Sequence, residues 1–140
     1  MMTPNSIETI KADFEMLDDW EDRYRYVIEL GRQLPPLTPQ AKTDATKVRG
    51  CASQVWLVST VEDGPDQTLA FAGESDSHIV QGLIAILLAL TNHRTAADLI
   101  ALDIQATFNG LGLKEHLTPQ RSNGLASMIA RIKADAHAAL

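Results

Sequence analysis

The chain has 140 residues, 45% of them hydrophobic, with a formal net charge of −6 and one cysteine. Such a length suits one domain spanning residues 1–140 with a single core, and the acidic balance argues against a nucleic-acid backbone or an anionic membrane as the main partner. A lone cysteine excludes an internal disulfide, fits a reducing compartment, and by itself can neither close a zinc site nor hold a cluster.

In chain order, the start Met1-Met2-Thr3-Pro4-Asn5 lacks the basic and apolar regions of a signal peptide. Ile7, Ile10, Phe14 and Leu17 recur at helical spacing. Asp18 or Asp19 can cap a second helix carrying Trp20, Tyr24, Val27 and Leu30, which Pro35-Pro36 and Pro39 bring to an end. A short strand is possible at 45–49. Residues 54–62, rich in Val, Trp, Leu and Thr, read as a strand with Trp56 assigned to the core. The cluster Glu62-Asp63-Gly64-Pro65-Asp66 is a turn, and a second strand from about Gln67 to Ala72 pairs with the first as a hairpin. Ile79–Leu90 is apolar but too short to span a bilayer, so it reads as a buried helix, and a cytoplasmic location is expected. Thr95-Ala96-Ala97-Asp98 opens a short helix. Asn109-Gly110-Leu111-Gly112 breaks the chain. Thr118-Pro119 starts a last helix with Leu125, Met128, Ile129 and Ile132 on its apolar face. Helices, a hairpin and more helices make an α+β fold: a small antiparallel sheet of about three strands packed against helices.

Chemistry centres on Cys51. Gly50 before it permits a backbone geometry closed to other residues, and the strand after it is a rigid mount. Lys47 and Arg49 favour a thiolate if they lie on the same side. The alternative is an inert, buried cysteine packed as a small hydrophobe. Tuning the thiol is a small lever. Lowering its pKa by ~1.5 units raises the thiolate fraction roughly fifteen-fold but costs about five-fold in nucleophilicity, a net gain of about three-fold. Positioning against a bound sulfur donor is the larger lever.

Three segments carry a resemblance. Val48-x-Gly50-Cys51-x-Ser53-x-Val55-Trp56-Leu57, Gly73-Glu74-Ser75-Asp76-Ser77-His78-Ile79-Val80-x-Gly82-Leu83 and His116-Leu117-Thr118-Pro119-x-Arg121-Ser122-Asn123-Gly124-Leu125 resemble, in that order, the motifs of SufE-type sulfur acceptors. The likeness covers about residues 7–135. Glu74 stands where Asp is the familiar residue and keeps the charge. The resemblance implies a fold shared with IscU-type scaffolds. It implies that Cys51 accepts persulfide sulfur from a PLP-dependent cysteine desulfurase of the SufS or CsdA kind, stimulates that enzyme, and delivers the sulfur to an iron–sulfur scaffold. The protein would then be a carrier with a covalent persulfide rather than a stand-alone enzyme. PLP belongs to the partner, and no cofactor or metal is expected here. An apolar pocket around the resting thiol would protect a labile persulfide, with a loop movement on docking to bring it out.

Gly50, Ser53, Asp76 and Arg121 join Cys51 as candidate binding residues. Arg121 lies in the first turn of the last helix, where a cation opposes the helix dipole, which hints at another duty; the alternative is an exposed side chain paired with an acid. Asp76 and Ser77 either cap the buried helix or meet the partner. His78 and His116 are candidate proton carriers weighed against exposed or satisfied histidines, while His93 and His137 read as surface residues. Gly82 and Gly124 suggest close packing of another segment. The first 30 residues hold eight acidic and three basic side chains, a solvated face that could also aid docking to a basic surface. The competing functions are a regulator that docks on a desulfurase without carrying sulfur, and a one-cysteine peroxidase or thiol transferase. A monomer and a homodimer both fit.

Overall fold

The structure, a computed structural model, describes residues 6–51 and 53–140, the side chain of Lys114 excepted. The first five residues, on which the reading of the chain start rests, lie outside it.

Helix α1 (Ile7–Met16) begins where Ser6 accepts the Thr9 N–H at 3.2 Å, and it buries Ile7, Ile10 and Phe14. Asp19 caps α2 (Trp20–Arg32) through the Glu21 N–H at 3.1 Å. Arg23 of α2 reaches back to the carbonyls at the end of α1, donating to Leu17 O at 2.7 Å and to Phe14 O at 3.0 Å, the latter also accepting the Leu17 N–H at 3.2 Å. The proline-rich stretch after α2 admits only a 3-10 turn at Pro39–Ala41.

Strands β1 (Val55–Val61) and β2 (Thr68–Ser75) form the expected hairpin, in antiparallel register from Val55 opposite Ser75 to Val61 opposite Leu69. β2 runs three residues beyond the sequence expectation, through Gly73–Ser75. Helix α3 (His78–Thr91) is the buried helix; Leu83, Ile84, Ile86 and Leu87 are wholly buried in it. The third strand is β3 (Arg94–Thr95), paired with β2 at Thr68 and Leu69. The stretch at 45–49 contributes a single bridge, Lys47 opposite Trp56, not a strand. Short helices α4 (Ala96–Ala101), α5 (Ile104–Gly110) and α6 (Leu113–His116) lead to α7 (Pro119–Ala138). Thr95 caps α4, accepting the Asp98 N–H at 3.1 Å. Thr118 caps α7 with Pro119 at its first position, as the sequence predicts.

Two glycines decide how the helices meet. A Cβ on Gly82 would collide with the Val27 carbonyl and lie 2.5 Å from Val27 Cγ1, and one on Gly31 would lie 2.6 Å from the Gly82 nitrogen. Helices α2 and α3 therefore touch backbone to backbone, which repays the poor helix propensity of glycine. On the sheet, Val55 and Leu57 face the core and are fully buried. Trp56 does not join them. The two-residue period of a strand turns it to the opposite face, where it is half-buried with the Lys42 ammonium 5.4 Å from its ring centroid.

Candidate functional site

Residues 45–51 lie along one face of α7, running opposite to it. The Arg131 guanidinium donates to Ala45 O at 2.6 Å and Lys47 O at 3.4 Å. Gly50 passes so close to Ser127 that a Cβ would sit 2.5 Å from its Oγ. Cys51 Sγ donates to Gly124 O at 3.5 Å. Positions 124, 127 and 131 share a helix face, so one stripe of α7 carries the whole segment. Gly50 has φ +89°, a left-handed backbone that glycine adopts without strain. The conformation demands glycine here, and the Ser127 hydroxyl would have to turn away from any added Cβ.

The base of the segment is closed by the sheet. Val48 N–H donates to Val55 O at 2.8 Å, and Leu57 N–H to Thr46 O at 2.9 Å. On the other side of the cysteine, Asp76 Oδ1 accepts the Gln54 N–H at 3.0 Å and Asp76 N–H donates to Gln54 O at 3.3 Å. Asp76 thus fastens the chain where it enters β1. The cap of α3 is Ser77, whose Oγ accepts the Val80 N–H at 3.4 Å.

Cys51, Ser53 and Arg121 line a cavity of about 200 Å³ with Thr118 and Gln120; Val80, Leu125 and Met128 give it an apolar wall. The thiol is half-buried. Burial pushes its pKa above the ordinary value, since charge is disfavoured away from water. Burial is what acts on the thiol, and it acts upward; neither Lys47 nor Arg49 is among the causes of the shift. Gly124 lies in ordinary contact with the sulfur, a Cβ there being 3.5 Å from Cys51 Sγ. The close packing expected at Gly124 is therefore against the cysteine itself.

Arg121 is exposed, in the first turn of α7, and forms no ion pair among the described residues. Its guanidinium lies at the N-terminal, positive end of the α7 dipole, so this end of the cavity is electropositive. Gly50 and Asp76 flank the cavity without being among its lining residues. His78 is exposed at the start of α3. The His116 ring stacks on Trp20 with centroids 3.7 Å apart, and its carbonyl accepts from the Tyr24 hydroxyl. Neither histidine is among the lining residues of the cavity. His93 pairs with Glu62 at 2.8 Å. Among the described residues no group of His, Cys, Asp and Glu could hold a metal ion, and no helix is long and apolar enough to cross a membrane.

Two further features frame the site. Glu74 Oε1 accepts the Leu37 N–H at 2.9 Å and its carboxyl pairs with Lys42. The Lys42 ammonium holds that carboxyl below the usual range and fixes the loop before the cysteine segment. Arg131 is a residue that sequence reasoning passes over. Its one local sign is Asp135 four residues on, the less favourable order for a helix ion pair.

A family model for SufE, described as the Fe-S metabolism associated domain, matches residues 8–136. The chain belongs to the SufE family. An uncharacterized SufE-like protein of Rhizobium meliloti is 52% identical over 136 residues, 96% of this chain and 97% of that one. A second from Rhizobium etli is 52% identical over 132 residues, 94% of this chain and 89% of that one. In fold, the chain is similar to the solution structure of a hypothetical protein from Thermus thermophilus, with TM-score 0.76 and 21% identity over 99% of this chain and 98% of that one. Family membership ties the chain to iron–sulfur metabolism, and the α+β architecture is that of the SufE fold.

Proposed function

We propose that the protein is a sulfur carrier for iron–sulfur cluster assembly. Cys51 takes the outer sulfur of a cysteine persulfide on a PLP-dependent cysteine desulfurase and passes it to an iron–sulfur scaffold, in the cytoplasm. The observation that carries this reading is the placement of the one thiol of the chain. It borders a cavity of about 200 Å³, half-buried, with Arg121 and the start of α7 beside it. An inert core cysteine has no such space in front of it. A persulfide is more acidic than a thiol, so its outer sulfur is anionic near neutrality. An electropositive cavity end with an apolar wall suits that charge and limits access of other thiols.

The step is a thiol exchange. The Cys51 thiolate attacks the outer sulfur of the donor persulfide, the donor S–S bond breaks, and the donor leaves as a thiolate. The proton Cys51 gives up is free to neutralise that leaving group. In the resting protein burial disfavours the thiolate, so exchange is favoured when Cys51 comes out to the donor. Docking that draws the segment from α7 exposes the sulfur and lowers its pKa together. Gly50 is the natural pivot, Asp76 holds the far side through Gln54, Ser53 moves with the cysteine, and Arg121 stays at the cavity to receive the returning persulfide.

A regulator that activates the desulfurase without carrying sulfur makes a different prediction. Turnover of a desulfurase with cysteine is compared with wild-type protein and Cys51→Ser. The carrier loses its stimulation in Cys51→Ser, because the enzyme persulfide is no longer cleared. Full stimulation by Cys51→Ser contradicts the carrier.

A further inference from the structure

The two ends of the segment 45–51 are held to α7 by contacts of unequal strength. At the cysteine end a thiol meets the Gly124 carbonyl at 3.5 Å, and a thiol is a weak donor. At the other end a guanidinium donates to Ala45 O at 2.6 Å and Lys47 O at 3.4 Å, while Arg131 Nε donates to Asp135 Oδ1 at 3.3 Å. Bonds from a charged donor are the stronger kind. The Arg131 and Asp135 side chains are only 27% and 20% exposed. Asp135 Oδ2 is buried with no hydrogen-bond partner among the described residues. Holding a carboxylate oxygen this way is costly, and an ion pair in this order along a helix returns little. The arrangement makes sense as a brace for the guanidinium.

We propose that Arg131, braced by Asp135, is a positioning residue that anchors the base of the cysteine segment on α7. Cys51 then swings about Gly50 from a fixed base and returns to the same place. This rests on the carrier reading for its purpose, although the anchor itself does not. Without it only the bonds of Thr46 and Val48 to β1 hold the base, and residues 45–51 can shift on α7. The thiol is then exposed more often but presented less accurately.

The test is Arg131→Met, which keeps the aliphatic stem and removes the donors. Alkylation of Cys51 by iodoacetamide in the free protein should rise about ten-fold, the equivalent of one lost bond to a charged group. Sulfur loading of Cys51 by a desulfurase with cysteine should fall at saturation, with the half-saturating concentration unchanged. Arg131→Lys, which keeps a cation, should recover part of both. Amide exchange should quicken at Val48 and stay as in wild type at Leu83 and Leu87, a pattern that a generally weaker fold does not give. Unchanged alkylation together with unchanged exchange at Val48 overturns the proposal. If Arg131→Met does not fold, Asp135→Asn replaces it, with smaller changes in the same directions expected and no change again overturning it. If wild-type protein takes no sulfur while the desulfurase turns over, the carrier reading fails, and alkylation and exchange still decide on the anchor.

Discussion

Two places in this molecule use glycine to bring one segment close against a helix, and they are built differently. Where α2 meets α3, Gly31 and Gly82 leave no space for even one methyl group, and the surrounding side chains are buried. Where residues 45–51 meet α7, only Gly50 is that tight. Cys51 beside it rests on Gly124 at ordinary contact distance, with a cavity in front. The first contact is a closed joint of the kind that fixes a core. The second is tight at its pivot and loose at its tip, which is what a segment needs if it must leave and return. The contrast separates the part of the chain that holds the fold from the part that does the chemistry.

The contrast can be broken by adding a methyl group to each side. Gly82→Ala should destabilise by about 2 kcal/mol, because overpacking against the Val27 carbonyl outweighs the gain in helix propensity; a thermal melt measures it. A melting temperature unchanged from wild type would mean that the joint yields. Removing the cap of α7 with Thr118→Ala should cost about 1 kcal/mol and loosen the helix end that borders the cavity. Its effect on sulfur loading should therefore exceed its effect on stability. Gly124→Ala should change stability least, by well under about 1 kcal/mol or with a slight gain, and should slow alkylation of Cys51 because the new methyl group touches the sulfur. A loss of stability as large as that of Gly82→Ala would show the two contacts to be alike.

A pH measurement sharpens the same point. Burial raises the Cys51 pKa above the ordinary value of 9.0, so its alkylation rate in the free protein should inflect above that value. The sign for stability follows. The folded state holds this proton more tightly than the unfolded chain, so the contribution is complete below the ordinary thiol range and is lost as pH rises through the folded value. A thiol that already inflects below 9.0 would mean that the segment rests in its outward position.

Much of the molecule is legible in the sequence because it is local. The cap Thr118 with Pro119, the periodic apolar positions of α1 and α3, and the hairpin turn all follow from short-range chemistry. So does the place of Arg121 at a helix start, which the structure puts at the cavity of the cysteine. Features set by distant partners are not legible. Size alone assigns Trp56 to the core, but strand alternation turns it outward, and the cation over its ring comes from Lys42. The two-residue β3 is too short to leave a periodic pattern, whereas the stretch at 45–49 reads as a possible strand and gives a single bridge. Lys47 and Arg49 count by their charge in the sequence, whereas the burial that raises the thiol's pKa comes from packing on a helix residue 73 positions away. Arg131 and Asp135 read as an ordinary helical pair until the carbonyls of Ala45 and Lys47 are placed beside them.

The central claim is that Cys51 holds a transferred sulfur. The most direct measurement is the intact mass of the protein after incubation with a PLP-dependent cysteine desulfurase and cysteine. The account predicts one added sulfur atom, located on Cys51 and released by a reductant. A desulfurase that consumes cysteine while Cys51 keeps its original mass would contradict it.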